Sequence, residues 1–343
     1  VGHAVRAMYL YSGMADLAKT LDDETLFKTL KVLWADVTTK KMYITGAIGS
    51  DEHGEGFSIA YDLPNDRAYA ETCASIGLFM WARRMLKLEL NSDYADVMEL
   101  ALYNGISSGM SEDGKQYFYV NPLEVNPAKV HQRYDLKHVR SSRVTWFGCA
   151  CCPPNVARIL TSLEKYSYDI SDDSNSIAIH LYLCGQIIMS DDSVWNITGK
   201  YLTDGKIEIT YSGEEKDFTL RLRNPGWSTA CEIRINGLRI KAESEQGYFY
   251  ILRKWKNGDT VQLKFGITAQ LVYANTYVED DAGKVAVMRG PVVFCLEEAD
   301  NGKNLSELMI GTIESHCENS VILNSNREHT MDSIALYSTN PPS

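Results

Sequence analysis

A chain of 343 residues exceeds what one hydrophobic core usually supports, so two domains are expected. An apolar content of 45% beside 23% charged residues is that of a soluble globular protein, and no apolar run approaches the ~20 residues of a membrane-spanning helix. The formal charge of −11 argues against nucleic acid or an anionic membrane as the main partner and suits a neutral or cationic ligand.

Residues up to about 167 read as helical. His3-Ala4-Val5 already lies within a helical pattern and the first residue is Val1, so the chain is expected to be cut from a longer protein. After the acidic start Asp22-Asp23-Glu24, which suits a helix N-terminus, Leu26, Leu30, Leu33, Trp34 and Val37 recur on one helix face. A second helix is predicted from about Tyr69 to Leu88, ending in basic Arg83, Arg84 and Lys87. A third runs from Ser92-Asp93 to a stop at Asn104-Gly105. Pro153-Pro154 opens a fourth through Val156, Ile159, Leu160 and Leu163, with proline in the first turn, where its missing N–H costs nothing.

The pattern changes near Asp169-Ile170-Ser171-Asp172-Asp173-Ser174. Beyond it come alternating runs, Ile207, Ile209 and Tyr211, then Phe218, Leu220 and Leu222, then Ile233 and Ile235. Asp204-Gly205, Asn236-Gly237 and Asn257-Gly258 are dipeptides of tight hairpins. Strands at this spacing predict a β-sandwich, and helices followed by strands mean two domains of an α + β protein. The boundaries fall at 1–167 and 168–343. No cluster of acids, histidines and thiols appears in the second half, so His180 and His316 are expected to be ordinary core or surface residues.

Chemistry concentrates in the first half. Glu71-Thr72-Cys73 and Cys149-Ala150-Cys151-Cys152 bring a carboxylate and four thiols into two tight clusters. That donor set suits a soft divalent metal, with zinc the default because it takes thiolate and carboxylate in tetrahedral sets. The plain alternative is a set of small buried hydrophobes, since free cysteine packs well. Cys149 and Cys152 form a C-x-x-C pair without a second pair downstream, so neither a zinc finger nor a zinc ribbon is met. Cys184, Cys231, Cys295 and Cys317 are scattered, and adjacent Cys151-Cys152 is a poor start for a disulfide framework. A reducing, cytoplasmic setting is therefore expected. Between the early helices, a long loop from about Lys41 to Asp66 holds Gly46, Gly49, Gly54 and Gly56 with Asp51, Glu52, His53 and Glu55 among them. Such loops on helical scaffolds often carry function, but pattern alone does not choose among these acids.

Several segments in this order resemble a known family. They are Gly2-His3-Ala4-Val5-Arg6-Ala7-Met8-Tyr9, Tyr43-Ile44-Thr45-Gly46-Ala47-Ile48-Gly49, Tyr61-Asp62-Leu63-Pro64-Asn65-Asp66 and Tyr69-Ala70-Glu71-Thr72-Cys73-Ala74. Phe118-Tyr119-Val120-Asn121-Pro122-Leu123, Cys149-Ala150-Cys151-Cys152-Pro153 and Arg289-Gly290-Pro291 complete the set. Together they resemble glycoside hydrolase family 127, the β-L-arabinofuranosidases, which shares its pattern with family 146. The resemblance implies part of an (α/α)6 barrel, its C-terminal half, over 1–167 and a β-sandwich over 168–343, incomplete at its end. It implies zinc held by Glu71, Cys73, Cys151 and Cys152, with Cys151 as nucleophile and Glu55 as general acid/base. It further implies substrate contacts at His3 and Tyr119. Cys149 receives no role in that pattern and is expected to be a buried or supporting thiol.

The implied activity is zinc-dependent, retaining release of β-L-arabinofuranosyl residues from an arabinose-containing oligosaccharide or glycoconjugate. Nucleic acid and membrane are not expected partners, and an open half-barrel with uncovered apolar faces would associate with further copies of itself. Two alternatives stay open: a glycosidase of the same architecture with another sugar specificity, and a zinc-stabilised carbohydrate-binding protein without turnover.

Overall fold

Asp23 illustrates how the helical part is specified locally. Its carboxylate accepts the backbone N–H groups of Thr25 and Leu26, capping α2 (Glu24–Lys40) as the acidic start implied. Before it, α1 (Ala4–Leu21) buries a stripe of mostly small residues, Ala4, Met8, Ser12, Ala15 and Ala18. α3 (Thr72–Leu88) is buried almost all round and lies against α1. Gly77 makes that approach close, since a Cβ there would lie 2.7 Å from the Met8 Cβ. Trp81 of α3 is flanked by Tyr11 at 4.9 Å and Trp34 at 5.0 Å between ring centroids.

The computed structural model describes residues 2–303, 305–317, 320–325 and 334–338. It divides into two units, one of Val1–Leu90, Val97–Thr161 and Leu271–Val287, the other of Asn91–Asp96, Ser162–Gln270 and Met288–Ser343. The helices and several sheets make a mixed fold. Among the described residues no helix is long and apolar enough to cross a membrane.

Three helical expectations need correction. His3 is not helical: Gly2–His3 pairs with Gly56–Phe57 as a short antiparallel bridge, and α1 begins at Ala4. Tyr69-Ala70-Glu71 is not helical either, because non-local pairing overrides the local pattern. Ala70 N donates to Gly49 O, Glu71 bridges to Val120, and Thr72 N donates to Tyr119 O. Asn104-Gly105 does not stop the third helix. α4 (Ser92–Leu100) continues as a wide π turn, Ala101–Ile106, and then a tight turn, Ser107–Gly109. Gly105 serves close packing: its N–H donates to Thr45 O at 3.0 Å, and a Cβ would lie 2.8 Å from the Ser75 hydroxyl.

A single turn, α5 (Pro127–Val130), is capped by Asn126, and α6 (Cys152–Leu160) follows with both prolines in its first turn. α6 ends at Leu160 rather than Leu163, with Thr161 N bonded to Ala157 O.

In the second unit, one six-stranded sheet runs in the order Leu238–Ile240, Cys231–Ile235, Thr260–Phe265, Lys206–Ser212, Val194–Lys200, Gly185–Ile188. A five-stranded sheet runs Glu243–Glu245, Tyr248–Trp255, Lys216–Arg223, Ser176–Ile179, Tyr168–Ile170. The alternating residues read from the sequence all point inward: Ile207, Ile209, Tyr211, Phe218, Leu220, Leu222, Ile233 and Ile235 are buried in one core shared by both sheets. Trp195 lies in that core, within 4.7 Å of the Tyr211 ring and 5.1 Å of the Trp255 ring between centroids. A further antiparallel set joins Val292–Cys295, Ile334–Ser338, Ser320–Ser325 and Ile310–Cys317.

Of the three turn dipeptides, Asn236-Gly237 is the two-residue hairpin expected, both residues having positive φ. Asp204-Gly205 instead ends a helical turn, Tyr201–Asp204, with Gly205 left-handed at its C-terminus. Asn257-Gly258 carries the chain from one sheet to the other, pinned by Gly258 N to Tyr211 O. His180 is fully buried, with Nδ1 at 2.8 Å from the Tyr248 hydroxyl and Nε2 at 3.1 Å from Asp169. The His316 side chain lies outside the described residues.

Candidate active site and metal centre

The two cysteine clusters meet at helix starts. Glu71 immediately precedes α3 and Cys73 sits in its first turn, while Cys151 precedes α6 and Cys152 is its first residue. Pro153 and Pro154 have no N–H groups, so the buried start of α6 carries fewer orphan donors beneath the sulfurs. Cys73 Sγ lies 3.6 Å from Cys152 Sγ, and Cys151 Sγ lies 3.6 Å from Cys152 Sγ and 3.4 Å from Glu71 Oε1. Cys152 Sγ lies 3.8 Å from the same oxygen. A tetrahedron built on zinc with ordinary bond lengths has S–S edges of about 3.8 Å and S–O edges of about 3.5 Å. These four of the six edges have such spacings, all four atoms lie within 4.8 Å of one another, and Glu71 Oε2 is buried without a hydrogen-bond partner. The donor set, its edges and the orphaned oxygen all fit zinc.

Electrostatics argue the same way. All four ligand atoms lie within 4.8 Å of one another, and without a cation so many acids cannot ionise together. Burial raises Glu71 to about 8, and the Cys151 thiolate adds to the rise. Cys73 is pushed up to about 12, first by its hydrogen bond to Cys151. Cys152 is raised for the same reason, as a donor to Cys151. Cys151 is held far below the ordinary thiol range because Cys152 and Cys73 both donate to its sulfur, with Tyr119 adding to them. One thiolate thus draws on protonated neighbours, and a divalent cation would displace those shared protons. Asn155, in the second turn of α6, hydrogen-bonds to Cys73.

Exposure separates the four. Glu71, Cys73 and Cys152 are at most 3% exposed, whereas Cys151 is partly open. Glu55 comes to the site on a tight turn closed by reciprocal bonds, Asp51 N to Gly56 O and Gly56 N to Asp51 O. Glu55 itself has a left-handed backbone, φ 53°, which turns its carboxylate toward His3, whose Nε2 is 3.1 Å away. His3, Glu55 and Glu71 offer atoms within 4.8 Å of one another. The other acids of the loop are used otherwise: Asp51 Oδ1 accepts His53 N, and Glu52 pairs with His138.

Two tyrosines join Glu55 to the sulfurs. The Tyr69 phenol lies beside Glu55, with its ring 6.0 Å from that of Tyr119 between centroids, and the Tyr119 phenol lies beside Cys151. Burial holds both phenols protonated well above their ordinary range. α1, α3 and α6 all begin here, behind His3, Glu71 and Cys151, so three helix N-termini, each worth about half a positive charge, favour negative charge at the site.

The candidate residues His3, Glu55, Glu71, Cys73, Tyr119, Cys151 and Cys152 therefore come together in one unit. Cys149 does not; it is exposed, contrary to the buried thiol expected, because it precedes the turn into α6. Tyr69 and Asn155 escaped the sequence reading. Asn155 had a signal, lying three residues after Cys152 on the same face of α6. Tyr69 had none.

Most of the chain matches one set of family models. The β-L-arabinofuranosidase GH127 catalytic domain matches residues 1–165, its middle domain 176–267, and the glycoside hydrolase family 127 C-terminal domain 269–333. The chain belongs to glycoside hydrolase family 127. It is similar to the non-reducing end β-L-arabinofuranosidase of Bifidobacterium longum subsp. longum, with 42% identity over 311 residues, 89% of this chain and 47% of that protein. Among solved structures it is similar to a family 127 β-L-arabinofuranosidase from Geobacillus stearothermophilus T6, with 42% identity and a TM-score of 0.90. That match covers 98% of this chain and 58% of the other. A second family 127 β-arabinofuranosidase superposes at a TM-score of 0.88 with 34% identity, covering 98% of this chain and 57% of the other. The chain thus spans about half the length of the curated relative that it matches.

Proposed function

We propose that the protein is a retaining glycoside hydrolase that releases β-L-arabinofuranosyl residues from an arabinose-containing oligosaccharide or glycoconjugate. In this reading residues 1–167 form half of an (α/α)6 barrel that carries the chemistry, and residues 168–343 a β-sandwich that does not. The observation that carries the proposal is the difference in exposure among the clustered ligands. Glu71, Cys73 and Cys152 are shut away, as holders of an ion would be, while Cys151 is open to a substrate.

Glu71, Cys73, Cys151 and Cys152 would hold zinc, which when bound keeps the thiols ionised at neutral pH. Cys151 attacks the anomeric carbon and forms a thioglycosyl bond as the glycosidic C–O bond breaks. Glu55 gives its proton to the departing oxygen, then takes one from the water that displaces the sulfur. Tyr119 steadies the Cys151 sulfur by hydrogen bonding, as Tyr69 and His3 steady the Glu55 carboxylate. With two displacements the product keeps the β configuration.

A panel of nitrophenyl glycosides tests the proposal. The β-L-arabinofuranoside is expected to be cleaved fastest, and Cys151→Ser to lose about a thousandfold or more in kcat even where the fold survives, because serine is far less ionised. Full activity of Cys151→Ser would contradict the nucleophile. Faster cleavage of another sugar would move the specificity to a different member of the same architecture.

A further inference from the structure

The turn that carries Glu55 is braced by a residue that no motif singles out. We propose that His138 is a positioning residue for Glu55, acting through Glu52; this rests on Glu55 being the acid/base. Glu55 N donates to Glu52 O at 3.1 Å inside the turn closed by Asp51 and Gly56, so Glu52 and Glu55 move as one piece. The Glu52 carboxylate lies 2.5 Å from His138 Nδ1. The other ring nitrogen, Nε2, lies 3.1 Å from the carbonyl oxygen of Arg67.

A carbonyl oxygen only accepts, so Nε2 carries a hydrogen and donates it to Arg67 O. His138 bridges the turn to the body of the unit, with its side chain only 11% exposed. Its own segment is anchored, since Leu136 and Val139 on either side are buried. The ring also lies against Tyr69, with centroids 5.7 Å apart and planes tilted at 34°, and Tyr69 is the phenol beside Glu55. His138 therefore supports Glu55 twice, through the turn that carries it and through the tyrosine beside its carboxylate.

The test uses His138→Gln and Glu52→Gln, each alone, with His138→Gln also placed in a Glu55→Ala background. For each single variant, kcat on an aryl arabinofuranoside with a poor leaving group is expected to fall roughly tenfold, and on the nitrophenyl substrate by less than about twofold. KM should stay the same for both. Adding His138→Gln to Glu55→Ala should cost nothing further, since the two act through one group. Hydrogen exchange at the Glu55 and Gly56 amides should speed roughly tenfold while the amides of α3 are unmoved. Equal losses for good and poor leaving groups, a further loss on top of Glu55→Ala, or unchanged exchange in both variants would each overturn the proposal. A Glu55→Ala variant indifferent to leaving group contradicts the acid/base reading itself. A leaving-group-dependent Glu55→Ala beside an indifferent His138→Gln contradicts the positioning role alone.

Discussion

Glu71 is a carboxylate kept among sulfurs, and that position makes its proton a measurable quantity. In metal-free protein its pKa stands at about 8 against an ordinary 4.5, raised mainly by burial. Between those values the folded chain holds a proton that the unfolded chain has released. Its contribution to stability is therefore intact below about pH 4.5 and is lost as pH rises toward 8. Urea unfolding of chelator-stripped protein and of stripped Glu71→Gln is expected to show the gap between them shifting in favour of the variant from pH 5 to pH 8. A gap that moves the other way would mean that Glu71 ionises freely. Zinc reverses the sign, because it displaces the shared protons, so its affinity should rise over the same interval.

At the scale of elements, the contact of α1 with α3 depends on Gly77, while Gly13 of α1 faces open space. Gly77→Ala should cost about 1–3 kcal/mol, since its Cβ would press on Met8, less the ~1 kcal/mol that alanine gains over glycine in a helix. Gly13→Ala should instead stabilise by up to about 1 kcal/mol. Denaturant midpoints at constant slope decide this, and shifts of the same sign in both variants would contradict the packing described. These elements also show what a sequence discloses. The Asp23 cap, the stripe of α2 and the inward alternation of Ile207, Ile209 and Tyr211 are short-range patterns, and they were legible. The start of α3 was not, because left-handed Ala70 (φ 42°) and extended Glu71 are held by Gly49 and Val120, far off in the chain. Gly105 looked like a helix stop because nothing local records that Thr45 and Ser75 crowd against it. The thiol clusters could be read since soft ligands at close spacing are rare. Glu55 could be singled out from Asp51, Glu52 and His53 by resemblance alone, and Tyr69 and His138 acquire their roles through folding.

For the molecule as a whole, the cluster predicts a tightly held zinc at one per chain. Elemental analysis of protein purified without added metal checks the count. Cys73→Ala should lose both the metal and several degrees of melting temperature, because binding energy at such a site is folding energy. Freely titratable Cys73, Cys151 and Cys152 in folded protein would contradict the centre. Cys151, open where its fellow ligands are closed, is expected to bond to the sugar. NMR of the first sugar released, recorded before mutarotation, decides whether it does. The β-anomer of L-arabinofuranose is expected, because two displacements restore the starting configuration. An initial α-anomer would mean direct attack by water and would leave Cys151 as a metal ligand only.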